Sequence, residues 1–434
     1  MKKRFLLFPI VALLATGCAG GGYNTSTKLP AGGKAVSEEE QAEVTSDIFG
    51  SLTKFFSEDE SVLATLPDIT GFTVNASLDA HVKYDSDYSD ENGFVNRTHV
   101  KADTTGKATV AYYVNTAAPD PEATFNVGSA AKLEIEDFSF KMSFSSYEKI
   151  KYEEEWQTNE TNFKFDFSDL DLGVYYVFDT VSNDGYILAD LSSSALPELV
   201  NQILEANIKD AEKLAYAKTE IGKLLKSNQK VYFSQSSLVA MLDAYIDSLE
   251  ESEKGSFATL IETIHPMLEG DIFTYVHDHS HELLNTLLGE ASMPISIDSL
   301  IPTIQAMLPM LNPTLVSYGT AEEGAYGLGL HVSNSSLKKV LGVDLKKVAG
   351  ISIDAGLALV IGNRNGLGEG FLAPELLEVK ASVSAEAIKV NAGVSVDFLF
   401  NAQSPFVGVT KEFKDSFAKN GMDLINALIS MFRS

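Results

Sequence analysis

The chain has 434 residues, a formal net charge of −27, 45% hydrophobic residues and a single cysteine. So acidic a protein is repelled by the phosphates of nucleic acids, which excludes nucleic-acid binding as an expected function. One cysteine provides neither an intramolecular disulfide nor a cysteine pair for a metal, so we expect the hydrophobic core to supply the stability.

The N-terminal segment has the pattern of an export signal. Basic residues occupy positions 2–4, an apolar run follows from Phe5 to Leu14, and small residues precede Cys18. The run is interrupted by Pro9 and is too short for a stable membrane span, which needs roughly 20 apolar residues. The sequence therefore predicts a signal peptide over residues 1–17 that is cleaved before Cys18.

This segment resembles the type II signal peptide of bacterial lipoproteins, whose lipobox ends in a small residue followed by an obligatory cysteine. The resemblance covers residues 1–18. Thr16, Gly17 and Cys18 of the lipobox at 15–18 match, whereas Ala15 stands where the family usually has leucine. The resemblance implies lipid on the Cys18 thiol and a fatty acid such as palmitate on its amino group, which together anchor a protein to a membrane.

The residue after the cysteine is Ala19 and not aspartate, which in the enterobacterial sorting rule implies the outer membrane. We therefore expect an envelope protein that faces the periplasm or the cell surface. An ordinary secretory signal, cut at the same small residues, is the alternative.

The mature chain begins with a predicted tether and an N-terminal β region. Residues 18–36 lack periodicity and are rich in small and polar residues, which predicts a flexible tether after the lipid. Region 37–190 starts with a helix, capped by Ser37 and Glu40. Period-two alternation then predicts antiparallel strands at 73–84, 107–115, 131–145, 148–157 and 161–178, with a bulge between Ile135 and Phe138.

Region 191–313 is predicted to be helical, and region 314–434 returns to strands at 326–333, 348–361 and 376–400 before a terminal helix. Two β regions that flank a helical insertion favour an α+β fold. In this fold an antiparallel meander, or curved sheet system, is packed by amphipathic N- and C-terminal helices. Two independent β domains are the alternative.

A histidine cluster is the sharpest local motif. In an extended segment His277, His279 and His281 project from the same side, and imidazole is a common metal ligand. The surrounding residues from 255 to 337 contain no lysine or arginine, which would favour a divalent cation such as Zn²⁺. The alternative is a solvated polar turn.

Other motifs point to turns and not to catalysis. The acidic segment 85–93 lacks the ligand register of a calcium loop and predicts a hairpin turn, and residues 362–366 likewise predict a turn. The chain has no Gly-x-Ser-x-Gly elbow, His-Glu-x-x-His pair or Walker loop. The sequence therefore favours a non-enzymatic function and leaves an enzyme that uses a carboxylate pair open.

The combined expectation is a membrane-anchored lipoprotein that binds a hydrophobic ligand or a partner protein of the envelope. Long amphipathic strands packed by helices resemble periplasmic lipid carriers in outline. A metal-binding or metal-dependent function at the three histidines is one alternative. A structural or surface-interaction protein is another.

Overall fold

A computed structural model describes residues 23–56, 70–117, 122–152, 155–248, 268–278, 308–318, 324–362, 373–400 and 409–433. Their strands are β1 (Lys34–Ala35), β2 (Gly71–Ser89), β3 (Val95–Val114), β4 (Val127–Tyr152), β5 (Glu155–Asp179), β6 (Asp184–Asp190), β7 (Lys230–Ser234), β8 (Thr314–Tyr318), β9 (Ala325–Ser333), β10 (Ser352–Gly362), β11 (Ala373–Ser384), β12 (Ile388–Phe400) and β13 (Lys419–Asn420).

The helices are α1 (Gln41–Phe56), α2 (Leu196–Asn207), α3 (Ala211–Ser227), α4 (Gln235–Ser248), α5 (Ile272–Asp278), α6 (Asn334–Leu341), α7 (Leu345–Ala349), α8 (Lys411–Asp415) and α9 (Gly421–Arg433), with a 3₁₀ turn at Leu308–Leu311. None of the described helices combines the length and hydropathy that a membrane crossing requires.

All the described strands belong to one sheet, in the order β1-β8-β9-β10-β11-β12-β2-β3-β4-β5-β6-β7-β13. The pairing of β12 with β2 joins the two predicted β regions, so the expectation of a shared sheet is confirmed over that of two β domains. The described pairs are antiparallel except for β13 with β7.

The predicted α+β class with balanced helical packing is wrong, because one thirteen-stranded sheet dominates the described structure. Residues 131–145 and 148–152, predicted to belong to two strands, lie in one 26-residue strand, β4, whereas residues 155–157 begin β5. Hydrogen-bonded ladders to β3 and β5 on both sides continue through this segment, which supports one long strand where sequence alone indicated a break.

The predicted bulge in β4 is confirmed. The register of β4 against β5 shifts between Ile135 and Phe138, and Asp137 adopts a left-handed backbone conformation with φ of 52°. Opposite the bulge, a Cβ on Gly106 of β3 would collide with the Phe138 ring. The glycine therefore leaves the space that the displaced phenylalanine occupies.

Only the second half of the acidic segment 85–93 forms the predicted hairpin turn, because residues 85–89 belong to β2. One carboxylate oxygen of Asp90 accepts hydrogen bonds from the backbone N–H groups of Asn92 (3.0 Å) and Phe94 (2.9 Å). Gly93 follows with φ of 88°, which a side chain would disfavour. The aspartate thus organises the turn through its own backbone contacts.

Two clusters of buried residues attach chain ends to the sheet. Helix α1 begins after the predicted Ser37–Glu40 cap, whose hydroxyl donates to the glutamate at 2.6 Å. Its inner face packs on β8–β11 in a cluster of Val44, Ile48, Phe49, Leu308, Leu315, Leu328, Leu359 and Ile361. At the other end of the sheet, Val409 and Phe417 pack against Val177 and Leu188.

Candidate functional site

The cross-strand register places apolar side chains of eight neighbouring strands, β9 to β5 in sheet order, on one surface, here called the apolar face. Side chains alternate between the two faces of a strand, so paired residues project from the same face. One row of this face contains Leu330, Leu357, Val379, Val394 and Leu78. A second row contains Phe398, Val74, Val110, Leu133 and Val174.

Part of the apolar face is exposed to solvent. Val110, Leu133 and Val174, which are adjacent across β3, β4 and β5, are 42%, 44% and 43% exposed. Valine and leucine side chains are among those most often buried in folded proteins. Three of them exposed side by side form a continuous apolar patch, and such patches mark binding surfaces more often than isolated exposed side chains do.

Phenylalanines line the same face farther along β4 and β5, beyond the buried Leu170. Phe165 packs edge-on against Phe167, with ring centroids 5.6 Å apart, and contacts Phe140 at 5.9 Å. Phe163 stacks beside Phe165 at 6.5 Å and is 43% exposed. Aromatic rings offer a large apolar contact area, so this end of the apolar face can accept acyl chains or an apolar protein surface.

Helix α5 covers the opposite end of the apolar face. The Phe273 ring lies 6.3 Å from Tyr112 and 5.2 Å from Tyr176. Asp271, just before the helix, hydrogen-bonds the buried Ser129 of β4. Burial raises the pKa of Tyr112 to about 12, which reflects the loss of solvent beneath this helix.

The opposite surface, here called the polar face, carries ion pairs between residues of the same and of adjacent strands. His81 of β2 lies between two carboxylates, with Nε2 2.9 Å from Asp79 and Nδ1 2.9 Å from Asp103 of β3. The Lys101 ammonium donates to Asp103 at 2.6 Å. Partial burial acts to raise the Asp103 pKa, but the hydrogen bonds from Lys101 and His81 outweigh it and lower the pKa.

The last part of the predicted tether packs on the polar face. Residues Tyr23–Leu29, here called the N-terminal strap, lie across β9 to β12, and Thr25 is only 4% exposed. The Thr25 hydroxyl donates to Asp354 of β10 at 2.5 Å. The described part of this segment is therefore held by the sheet and does not extend freely from it.

Two clefts lie beside polar-face residues. A cleft of about 600 Å³ is bordered by the N-terminal strap, His331 and Asp354. A second, of about 470 Å³, is bordered by Lys83, His99, Lys101, Ser143 and Lys164, among other residues. Both contain charged and hydroxyl groups, and the second is also bordered by Phe144 and Phe163 of the apolar face.

Most of the residues predicted from motifs lie outside the described residues. Cys18 and the lipobox precede the first described residue, and His279 and His281 follow α5 in a range that is not described. His277 lies in the last turn of α5. Within the described ranges, no group of three or more histidine, cysteine or acidic residues could hold a metal ion. The zinc site therefore stays a prediction.

The packing of the N-terminal strap on the sheet was not predicted from the sequence, although glycines in the strands beneath the strap gave a signal. Gly327, Gly329, Gly356 and Gly393 lie on β9, β10 and β12, and each has a strap residue close to the position of its missing side chain. Glycine inside a strand frequently marks a close approach by another backbone. That these glycines lie beneath one segment follows from the register of the strands, which the sequence does not reveal.

Comparisons with known proteins assign no family. No family model matches the chain, and no curated protein matches it. Among solved structures, the chain aligns with the translocator domain of the autotransporter NalP from Neisseria meningitidis. That alignment has 7% identity and a TM-score of 0.10, and it covers 82% of this chain and 99% of the other. A TM-score this low does not indicate a shared fold.

Proposed function

We propose that this protein is an envelope lipoprotein, anchored through lipid on Cys18, that binds the acyl chains of a hydrophobic ligand on the apolar face of its sheet. The observation that carries the proposal is the exposed patch of Val110, Leu133 and Val174, with Phe163 exposed farther along β5 on the same face. Transfer of this surface from water to an apolar ligand is favourable by about 25 cal/mol for each Å² buried.

The arrangement supports an open binding surface. Helices α5 and α1 cover two ends of the apolar face and keep the sheet beneath them rigid. The exposed residues lie between these two helices and along β4 and β5. A rigid apolar surface loses little conformational entropy when a ligand binds. An open apolar face also accepts chains of different lengths, because contact with aliphatic and aromatic side chains is non-directional.

The test compares a new charge on each face of the sheet. Leu133→Asp puts a carboxylate in the exposed apolar patch, whereas Ser77→Asp puts one on the exposed part of the polar face. Binding of a pyrene-labelled fatty acid should weaken at least fivefold in Leu133→Asp and stay unchanged in Ser77→Asp. Lipids extracted from the purified proteins and identified by mass spectrometry should follow the same order.

Equal binding by both variants would refute the acyl-chain proposal. A wild-type protein that carries no extractable lipid and does not bind the labelled fatty acid would refute it as well. In either case, chemical cross-linking through the Leu133 patch in intact cells would then test the second occupant expected from the sequence, a partner protein of the envelope.

A further inference from the structure

The N-terminal strap is held at the middle of the sheet by specific contacts. Its first residue, Tyr23, lies at β12 and β2, the sixth and seventh strands of the thirteen, where its ring meets His81 edge-on at 6.5 Å. Burial and the adjacent Asp79 raise the Tyr23 pKa to about 12. Toward β8, Thr25 donates to Asp354, and the Lys28 N–H donates to Glu378 at 3.2 Å.

The sheet is shaped to receive the strap. A Cβ on Gly356 of β10 would collide with the Thr25 carbonyl oxygen, and a Cβ on Gly393 of β12 would collide with the Tyr23 hydroxyl. Gly33, beyond the strap, is similarly close to Val316 before β1 pairs with β8. A side chain at Gly356 would therefore displace the strap backbone, whereas one at Gly393 would move the Tyr23 side chain.

The chain before the strap is short. Only five steps along the chain separate Cys18 from Tyr23. A fully extended chain spans at most about 3.3–3.6 Å per residue, so the lipid-bearing residue lies within roughly 18 Å of Tyr23. This reach is smaller than the width of the sheet, since thirteen strands at about 4.8 Å spacing span roughly 58 Å.

The polar face also suits a headgroup surface electrostatically. The chain as a whole carries a charge of −27, and anionic lipid headgroups repel negative surfaces. On this face, however, lysines are paired with carboxylates, as in Lys101–Asp103 at 2.6 Å and Lys380–Glu378 at 2.6 Å. Local pairing reduces the repulsion that an unpaired acidic face would meet.

We propose that the N-terminal strap orients the protein so that the part of its polar face around the strap, from β9 to β3, lies against the lipid headgroups of the anchoring membrane, with the apolar face directed away from that membrane. This inference rests on the proposed lipid anchor at Cys18. It implies that the apolar face exchanges its ligand with a component other than the bilayer that holds the anchor.

The test places a fluorophore on either face of one strand. Ser77 and Ala76 are neighbours on β2 and project from opposite faces, the polar and the apolar respectively. Ser77→Cys and Ala76→Cys each add one thiol for labelling, because the natural Cys18 thiol is blocked by lipid. The full lipidated proteins are reconstituted in phosphatidylcholine–phosphatidylglycerol vesicles that contain a headgroup-nitroxide lipid, which quenches nearby fluorophores.

We expect quenching at position 77 to exceed that at position 76 at least twofold. Equal quenching, or stronger quenching at 76, would overturn the proposed orientation. The mass of the N-terminal peptide is measured on the same samples. A peptide without lipid on Cys18 would overturn both the anchor and the orientation, whereas a lipidated peptide with the wrong quenching order would overturn the orientation alone.

Two further variants test the strap itself. A flexible Gly-Ser insert of about 20 residues before Tyr23 adds a mean span of about 25 Å and should abolish the difference between the two positions. Gly356→Ala should displace the strap, because its Cβ would collide with the Thr25 carbonyl oxygen, and should also reduce the difference. Gly329→Ala is its matched control, because its new Cβ would lie 3.5 Å from Leu29, an ordinary contact distance. A difference that survives the insert would show that the strap does not set the orientation.

Discussion

Removal of the Ile48 side chain should test how strongly helix α1 is held on the sheet. Ile48 is fully buried against Leu315, Leu328 and Ile361. Ile48→Ala removes three carbon groups, worth about 0.8 kcal/mol each in transfer free energy, and leaves a cavity beneath the helix. The expected loss in the free energy of unfolding is about 3–4 kcal/mol.

Ile203→Ala in helix α2 is the matched control. The chemical change and the gain in helix propensity are the same, but Ile203 is 47% exposed, so the expected loss is about 1 kcal/mol. Urea titration followed by circular dichroism gives both values from the shift in midpoint and the slope of the transition. Equal losses in the two variants would refute the packing of the inner face of α1 on the sheet.

Two more predictions concern polar contacts. Asp103 has a lowered pKa in the folded protein, so its contribution to stability is present above its unfolded pKa of about 3.9 and is lost as the pH falls through the folded value. As the pH falls below about 4, the free energy of unfolding should therefore decrease more steeply in the wild type than in Asp103→Asn, and parallel curves from acid titrations would contradict this. Gln202 of α2 exchanges two hydrogen bonds with the Asp166 backbone at the outer edge of β5, one of them 2.8 Å long. Gln202→Ala should lower the free energy of unfolding by about 1–2 kcal/mol and increase aggregation measured by light scattering, whereas Asn207→Ala, further along the same helix, should not increase aggregation.

Local patterning predicted much of the strand structure. Alternation between residues 73 and 84 predicted β2, and the phase slip near Phe138 predicted the bulge. These two predictions are correct because a two-residue period and its interruption are properties of neighbouring residues. The length of β4 was missed, because its continuity depends on ladders to β3 and β5 that no short window contains.

The candidate site, like the strands, could be predicted from the sequence only in part. The apolar character of residues such as Val394 and Val396 was evident from the sequence. That they continue a surface with Leu78 and Leu133 follows from register between distant strands. The N-terminal strap was predicted as a tether because its small polar residues lack periodicity, and its contacts with Asp354 and Glu378 connect positions more than 300 residues apart.

The pairing of β2 with β12 also has a consequence for how the chain folds. Tyr84 and Ile388 are cross-strand partners although 304 positions separate them. The hairpins from β2 to β5 can form from consecutive segments. The pairing of β2 with β12, in contrast, cannot form before almost the whole chain is present. Closure of so long a loop has a large entropy cost, and contacts of this kind slow folding. We therefore expect the two halves of the sheet to form early and their joining to limit the folding rate.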